Sequence, residues 1–254
     1  MKSILKLIFM LVVFSVIFFV LRFYGQSFGY NVDVLVSDLG GLTYLYSTVG
    51  TIFAIFAAFV IVSESQDWNT LVNASKNEVS EIRELLSWSK KLSPALAEKF
   101  SQNIKSYLDS VIQDEWKVLE KGNKNTKTEN SLLPFHNLIS DAFKENPELG
   151  GVLFTTFNNI LGYRFTRTEY SFQPLPKILK FTVFFVDIVL ILLSFLIGVR
   201  NIALDYIFMI CIVTLCSVIM MVIEDLDNPL KPGEWHLKPD GYQNLLNSIN
   251  LQIK

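Results

Sequence analysis

The sequence predicts an all-α membrane protein, four transmembrane helices plus a helical cytoplasmic domain, and three observations carry that prediction. Four apolar stretches of near-bilayer length lie two on either side of a polar block of over a hundred residues. The chain is 51% hydrophobic and 18% charged, below the roughly 25% charged of soluble domains, and 21 of its residues are Phe. Its polar block, finally, carries apolar residues at three- and four-residue steps, the period of a helix buried on one side.

The first stretch, Leu7 to Leu21, is the shortest: 15 uncharged residues, which reach only about 22 Å as a helix. Lys6 and Arg22 flank it and are expected to snorkel to make up the difference. Lys2 and Lys6 before an apolar run also fit a signal peptide, but Phe23-Tyr24-Gly25-Gln26-Ser27 offers no small-x-small cleavage site. Leu42 to Val62 runs 21 residues without a charge, enough to cross a hydrocarbon core about 30 Å thick. Phe181 to Val199 carries one acid, Asp187, and Leu204 to Ile223 has only Asp205, near its start.

Between the second and third stretches the chain reads as helix. Val72, Val79, Ile82, Leu85 and Leu86 continue the second span as one helix to about Lys91. Ser93-Pro94 is a restart, with Ser as N-cap and Pro at the first helical position. Leu96, Phe100, Ile104, Tyr107, Leu108, Val111 and Ile112 then form a stripe that Gly122 ends. Asn123 to Asn130 is polar throughout and predicts a surface loop. Pro134 opens a short helix to about Asn146, Pro147 another to about Tyr170, and Gln173-Pro174-Leu175-Pro176 bends the chain into the third span. The expected divisions are residues 1–63, a first helix pair; 64–177, the cytoplasmic domain; 178–223, a second pair; and 224–254, a cytoplasmic C-terminal segment.

Lys2 and Lys6 precede the first span and residues 64–177 hold fourteen Lys and Arg, with only Arg22 and Arg200 near the other side. By the positive-inside rule both termini and the central block are cytoplasmic, in a multi-pass protein of the inner (plasma) membrane. A net charge of −2 gives no ground for a nucleic-acid partner. Cys211 and Cys216, both in the fourth stretch, write no disulfide framework or zinc site, and His136 and His236 alone make no metal centre. No cofactor is expected.

Several motifs in order resemble the bestrophin-like domain family, mostly prokaryotic membrane proteins. They are Ser63-Glu64-Ser65-Gln66-Asp67-Trp68 after the second span, Asn77-Glu78-Val79, and Tyr107 followed by Asp114-Glu115-Trp116. Arg164 and Arg167 ahead of the Pro174–Pro176 bend and Asp225-Leu226-Asp227-Asn228-Pro229-Leu230 after the last span complete the set, over about residues 45 to 235. The more distant relation to true bestrophins implies a ring-shaped homo-oligomer, a pentamer, that conducts anions or cations through four spans per subunit. Asn228-Pro229-Leu230 stands where bestrophins have an Asn-Pro-Phe turn, and the second span lies at a similar distance from Trp68 as the bestrophin neck does from its tryptophan. The acidic run of the bestrophin calcium clasp is absent: Lys231-Pro232-Gly233-Glu234-Trp235 follows instead, so calcium is not expected to gate through this turn.

On that footing Thr51, Ile55 and Phe59, at i, i+4 and i+8, share a helical face that lines a narrow pore, while Ile52, Phe56 and Val60 make a competing stripe. Gly50, Ala54, Ala57 and Ala58 suit close helix approach. Glu64 and Asp67, just past the neck, place negative charge at the cytoplasmic pore mouth and lean the reading toward cations. Asp187, inside the third span, costs at least about 2.5 kcal/mol there. It serves an ion path or proton site, or else pairs with Ser, Thr or backbone groups of a neighbouring helix. Glu224, Asp225 and Asp227 are expected as a solvated helix end at the interface, and Lys121 to Lys127 as a solvated loop. Glu115-Trp116 with Arg164 and Arg167 lacks a nucleophile–base pair, so no enzyme is read there; the arginines pair with helix acids around a buried Trp. The functional expectation is a homo-oligomeric ion channel whose partners are the lipid bilayer, further copies of itself and permeating ions. The alternative is a non-conducting membrane scaffold or signalling protein whose cytoplasmic helices bind a partner.

Overall fold

In the computed structural model, residues 2–24, 39–121, 127–197 and 201–252 are described. Among them the regular structure is helical: α1 (Lys2–Tyr24), α2 (Leu39–Ser89), α3 (Pro94–Ser110), a π-helical segment (Val111–Glu115), α4 (Trp116–Leu119), α5 (Lys127–Asn130), α6 (Leu133–Glu145), α7 (Pro147–Tyr170), α8 (Lys177–Leu196), α9 (Ile202–Leu226) and α10 (Asp240–Gln252). The chain forms two units, residues 1–65 with 174–227 and residues 66–173 with 228–254.

The first unit contains α1, the N-terminal part of α2, α8 and α9. Four helices are long and apolar enough to cross a membrane, and α1 reaches that length because it is helical on both sides of its 15-residue uncharged core, with a span from Leu5 to Tyr24. Phe18, Phe53, Ala57, Val60, Val183, Leu190, Met209 and Val213 form the interior, while Phe9, Ile17, Phe185 and Leu215 face outward. An exterior of that composition fits hydrocarbon as solvent.

The charges flanking α1 are placed differently from the snorkelling expected of them. Arg22 Nη2 lies 2.8 Å from Asp205 Oδ2, both side chains under a tenth exposed, and Lys6 Nζ lies 3.8 Å from Glu224 Oε2 in the open. An acid on α9 stands beside each cation, so attraction and not the search for water sets the rotamer. The hydroxyls of Ser15 and Tyr206 meet at 3.0 Å between them. Asp227 is likewise no solvated helix end: its side chain is 7% exposed. It accepts from the Leu175 N–H at 2.6 Å and the Lys180 ammonium at 2.8 Å, which holds the Pro174–Pro176 bend at the start of α8.

The second unit packs α3, α6, α7 and α10 around the C-terminal part of α2 and the π-helical segment. The predicted starts at Pro94 and Pro147 are those observed. Asn146 caps α7, its Oδ1 accepting from the N–H groups of Glu148 and Leu149. Ser93 does not cap α3. Its N–H and hydroxyl both donate to the Glu145 carboxylate, at 2.6 and 2.7 Å, tying the start of α3 to the end of α6. Helices α6 and α7 cross where Gly150 sits, and a Cβ there would lie 2.7 Å from Phe143 Cα. Phe135 stacks on Phe157 at 5.3 Å and tilts against Phe100 at 6.4 Å. The C-terminal segment belongs to this core: the Trp68 indole N–H donates to Trp235 O at 2.9 Å, and Tyr242, Leu245, Leu246 and Ile249 of α10 are buried. The loop expected over Asn123 to Asn130 ends early, because Lys127–Asn130 forms a helical turn whose Thr128 is fully buried and accepts from the Ser110 hydroxyl. Most of the Lys121–Lys127 stretch lies outside the described residues.

Candidate functional site: the outward face of α2 and a buried charge cluster

Helical periodicity splits the membrane part of α2 into two faces. Phe53, Ala57 and Val60 point into the first unit at 4% exposure or less, while Ile55 and Phe59 stand 68% and 64% exposed. Thr51 is exposed as well and donates its hydroxyl to Ser47 O at 2.8 Å, a bond within its own helix. Thr51, Ile55 and Phe59 therefore form an unbroken outward line. The competing stripe is divided, with Ile52 outward, Phe56 half-buried and Val60 fully inside. Ala57 makes the close approach expected of the small residues, and a Cβ at Gly50 would sit 3.9 Å from Leu190; Ala54 and Ala58 face out.

The two acids beyond this line diverge. Glu64, four residues after Val60, continues the inward face and is 5% exposed. Asp67 is half-buried, and burial pushes its carboxyl above the usual carboxylate range. Asp187 is 5% exposed on α8 and hydrogen-bonds the thiol of Cys216 on the neighbouring α9, leaving its Oδ1 without a partner. The neighbouring-helix pairing foreseen for Asp187 thus exists, with a thiol in place of Ser, Thr or backbone.

The second unit encloses a cluster of charges that the sequence motifs supply from four directions. Arg167 of α7, fully buried, places Nε 2.8 Å from Glu78 Oε2 and Nη2 3.1 Å from Glu115 Oε1. Arg164, one turn earlier, donates from Nε and Nη2 to Glu115 Oε2 at 3.4 and 3.3 Å. Tyr107 of α3 and Tyr242 of α10 donate their hydroxyls to Glu78 at 2.6 and 2.9 Å, so this one carboxylate joins three helices. The Arg167 guanidinium also lies 5.5 Å from the centroids of both the Trp116 and Tyr242 rings.

The electrostatics are self-contained, two carboxylates against two guanidinia. Burial works against the Arg167 charge, but Glu78 and further acid outweigh it and hold the guanidinium well above its usual range. Burial first, and Glu78 among the charges, push both phenols well above the usual tyrosine value, with Arg167 pulling the other way. The arginine–acid pairing around a buried Trp was legible in the sequence; the central place of Glu78 and the contribution of Tyr242 were not. The available signal was Glu78 falling four residues before Ile82 and seven before Leu85, a carboxylate on the apolar stripe. No group of three or more metal-ligating acids, histidines or cysteines occurs among the described residues.

A family model for the bestrophin-like domain matches residues 7–240. Two point-mutant crystal structures of a bacterial bestrophin homologue from Klebsiella pneumoniae superpose over the whole of this chain and 99% of theirs, at TM-scores of 0.76 and 0.78 and identities of 13% and 14%. A further membrane-protein crystal structure aligns over 99% of this chain and 98% of its own at TM-score 0.74 and 14% identity. No curated protein matches in sequence.

Proposed function

The chain belongs to the bestrophin-like domain family, and on that premise we propose that it is a homo-oligomeric ion channel, a pentameric ring whose subunits meet a central axis through α2. One observation supports this reading above the others. The line of Thr51, Ile55 and Phe59 is outward on a helix whose opposite face already fills the subunit interior. In a ring each of these positions repeats around the axis. A Phe ring gives permeating ions nothing in place of their hydration shell, so Phe59 forms a dewetted gate. The lean toward cations rests on Asp67, since Glu64 turns inward within the subunit.

In planar bilayers Phe59→Ala should raise the current, and Asp67→Lys should move the reversal potential toward anions in a salt gradient. Protein that never conducts, Phe59→Ala included, would sink the channel and leave the non-conducting scaffold. The same reading sets both termini and residues 64–177 in the cytoplasm of a cell whose inner membrane the protein spans. Single cysteines introduced as Ser27→Cys and Asn125→Cys in a Cys211→Ser background test it: the first should label from outside intact cells and the second should not.

A further inference from the structure

Beside the buried charge cluster the second unit opens a cavity of about 350 Å³, walled by Glu115, Arg164, Glu129, Glu169, Phe165 and Phe172 among others. That volume lies at the lower end of small-molecule sites. We infer that this cavity binds a small zwitterion of amino-acid type, its carboxylate on Arg164, its ammonium on Glu129 and Glu169, and its apolar body against Phe165 and Phe172.

Arg164 supplies the anion-binding half. Of the five N–H donors of a guanidinium, only Nε and Nη2 bond Glu115, at 3.4 and 3.3 Å, long for charge-assisted bonds that prefer about 2.7–2.9 Å. The side chain is 12% exposed, and it lines the cavity with donors that Glu115 does not use. Such a fork suits a carboxylate.

The ligand cannot be a simple anion, because Glu129 and Glu169 share the wall and would repel it. A bare metal ion meets the Arg164 guanidinium in the same space, and the described residues bring no metal-binding group together. Only a ligand carrying both signs satisfies both sides of the lining. The π-helical segment is a second, separate sign of a specialised site. It gives up regular hydrogen bonding between Val111 and Trp116, and it ends at Glu115, the cavity's innermost acid, 1% exposed. Such single-turn insertions concentrate at functional sites.

The test uses the purified full-length protein in detergent and calorimetric titration with three probes: L-leucine, the amine 3-methylbutan-1-amine that lacks its carboxylate, and 4-methylpentanoate that lacks its ammonium. L-leucine should bind, and each analogue should bind at least about tenfold more weakly, the loss of one charge-assisted contact. Glu129→Gln, on an exposed helical turn outside the core, should weaken L-leucine by a similar factor with an unchanged melting temperature; Arg164→Lys should weaken L-leucine and 4-methylpentanoate but not the amine. No heat with L-leucine at millimolar concentration, analogues that bind as well as L-leucine, or a Glu129→Gln protein that binds it unchanged would each overturn the inference.

Discussion

Replacing Arg167 with methionine isolates what the charge cluster contributes. The side chain is fully buried and its guanidinium lies 2.8 Å from Glu78 and 3.1 Å from Glu115, both at 1% exposure or less. Methionine has a similar reach and fills most of the space, so packing loss is small. What remains is two carboxylates in a dry interior, Glu115 with Arg164 alone and Glu78 with only the hydroxyls of Tyr107 and Tyr242. Breaking one buried pair costs about 3–5 kcal/mol. With two acids left behind, Arg167→Met should fall at the upper end, and about 4 kcal/mol lowers Tm by roughly 15 °C in a domain of this size. Glu78→Gln in the same chain keeps an oxygen for both phenols and removes the stranded charge, so the double variant should regain about 2 kcal/mol. Thermal melts followed by tryptophan fluorescence read both, with Trp116 beside the cluster as reporter. An Arg167→Met protein within about 1 kcal/mol of the parent, or a double variant no better than the single, would refute the reasoning.

Two further outcomes follow from geometry and charge. Gly150→Ala forces a Cβ to 2.7 Å from Phe143 backbone and should cost about 1–3 kcal/mol or more by overpacking, whereas Gly151→Ala, with nothing within 4 Å, should stabilise by up to about 1 kcal/mol through helix propensity; melting the pair side by side checks the sign of each. Because Tyr107 and Tyr242 are held well above the usual value near 10, the folded state keeps protons that the unfolded chain releases. Their contribution is complete below about pH 10 and is lost as pH rises beyond it. Stability should therefore be level in this term at neutral pH and drop in alkali, with Tyr107→Phe shallowing the drop, as read by tyrosinate absorbance against unfolding.

The helix order and the proline-marked starts were legible because Pro94 and Pro147 act locally, through a fixed backbone angle and a missing N–H. Side-chain direction was legible only where both faces of a helix carry a pattern. Thr51, Ile55 and Phe59 share a face by period alone, but period does not say which face is inward; the partners from α8 and α9 decide that. Glu64 shows the cost of reading charge as exposure, since helical phase set by Val60 turns it in. Asp227 and Ser93 show another limit. Their partners, Leu175, Lys180 and Glu145, lie about fifty residues away in sequence, and no local rule connects them. The Lys127–Asn130 turn was missed because Thr128 is polar and yet buried by a bond to Ser110, a long-range satisfaction that composition hides.

The π-helical segment also makes this stretch a matter of phase. The Trp116 N–H bonds back five residues to Val111 O, so one residue is accommodated beyond regular α-helical count. Removing a single residue such as Gln113 would let the helix close into ordinary winding and turn everything after it by about 100°. Glu115 and Trp116, now at 1% and 2% exposure, would leave the core together without any change of residue type. A deletion here is a rotation, and every substitution scan of the same stretch would fail to reveal it.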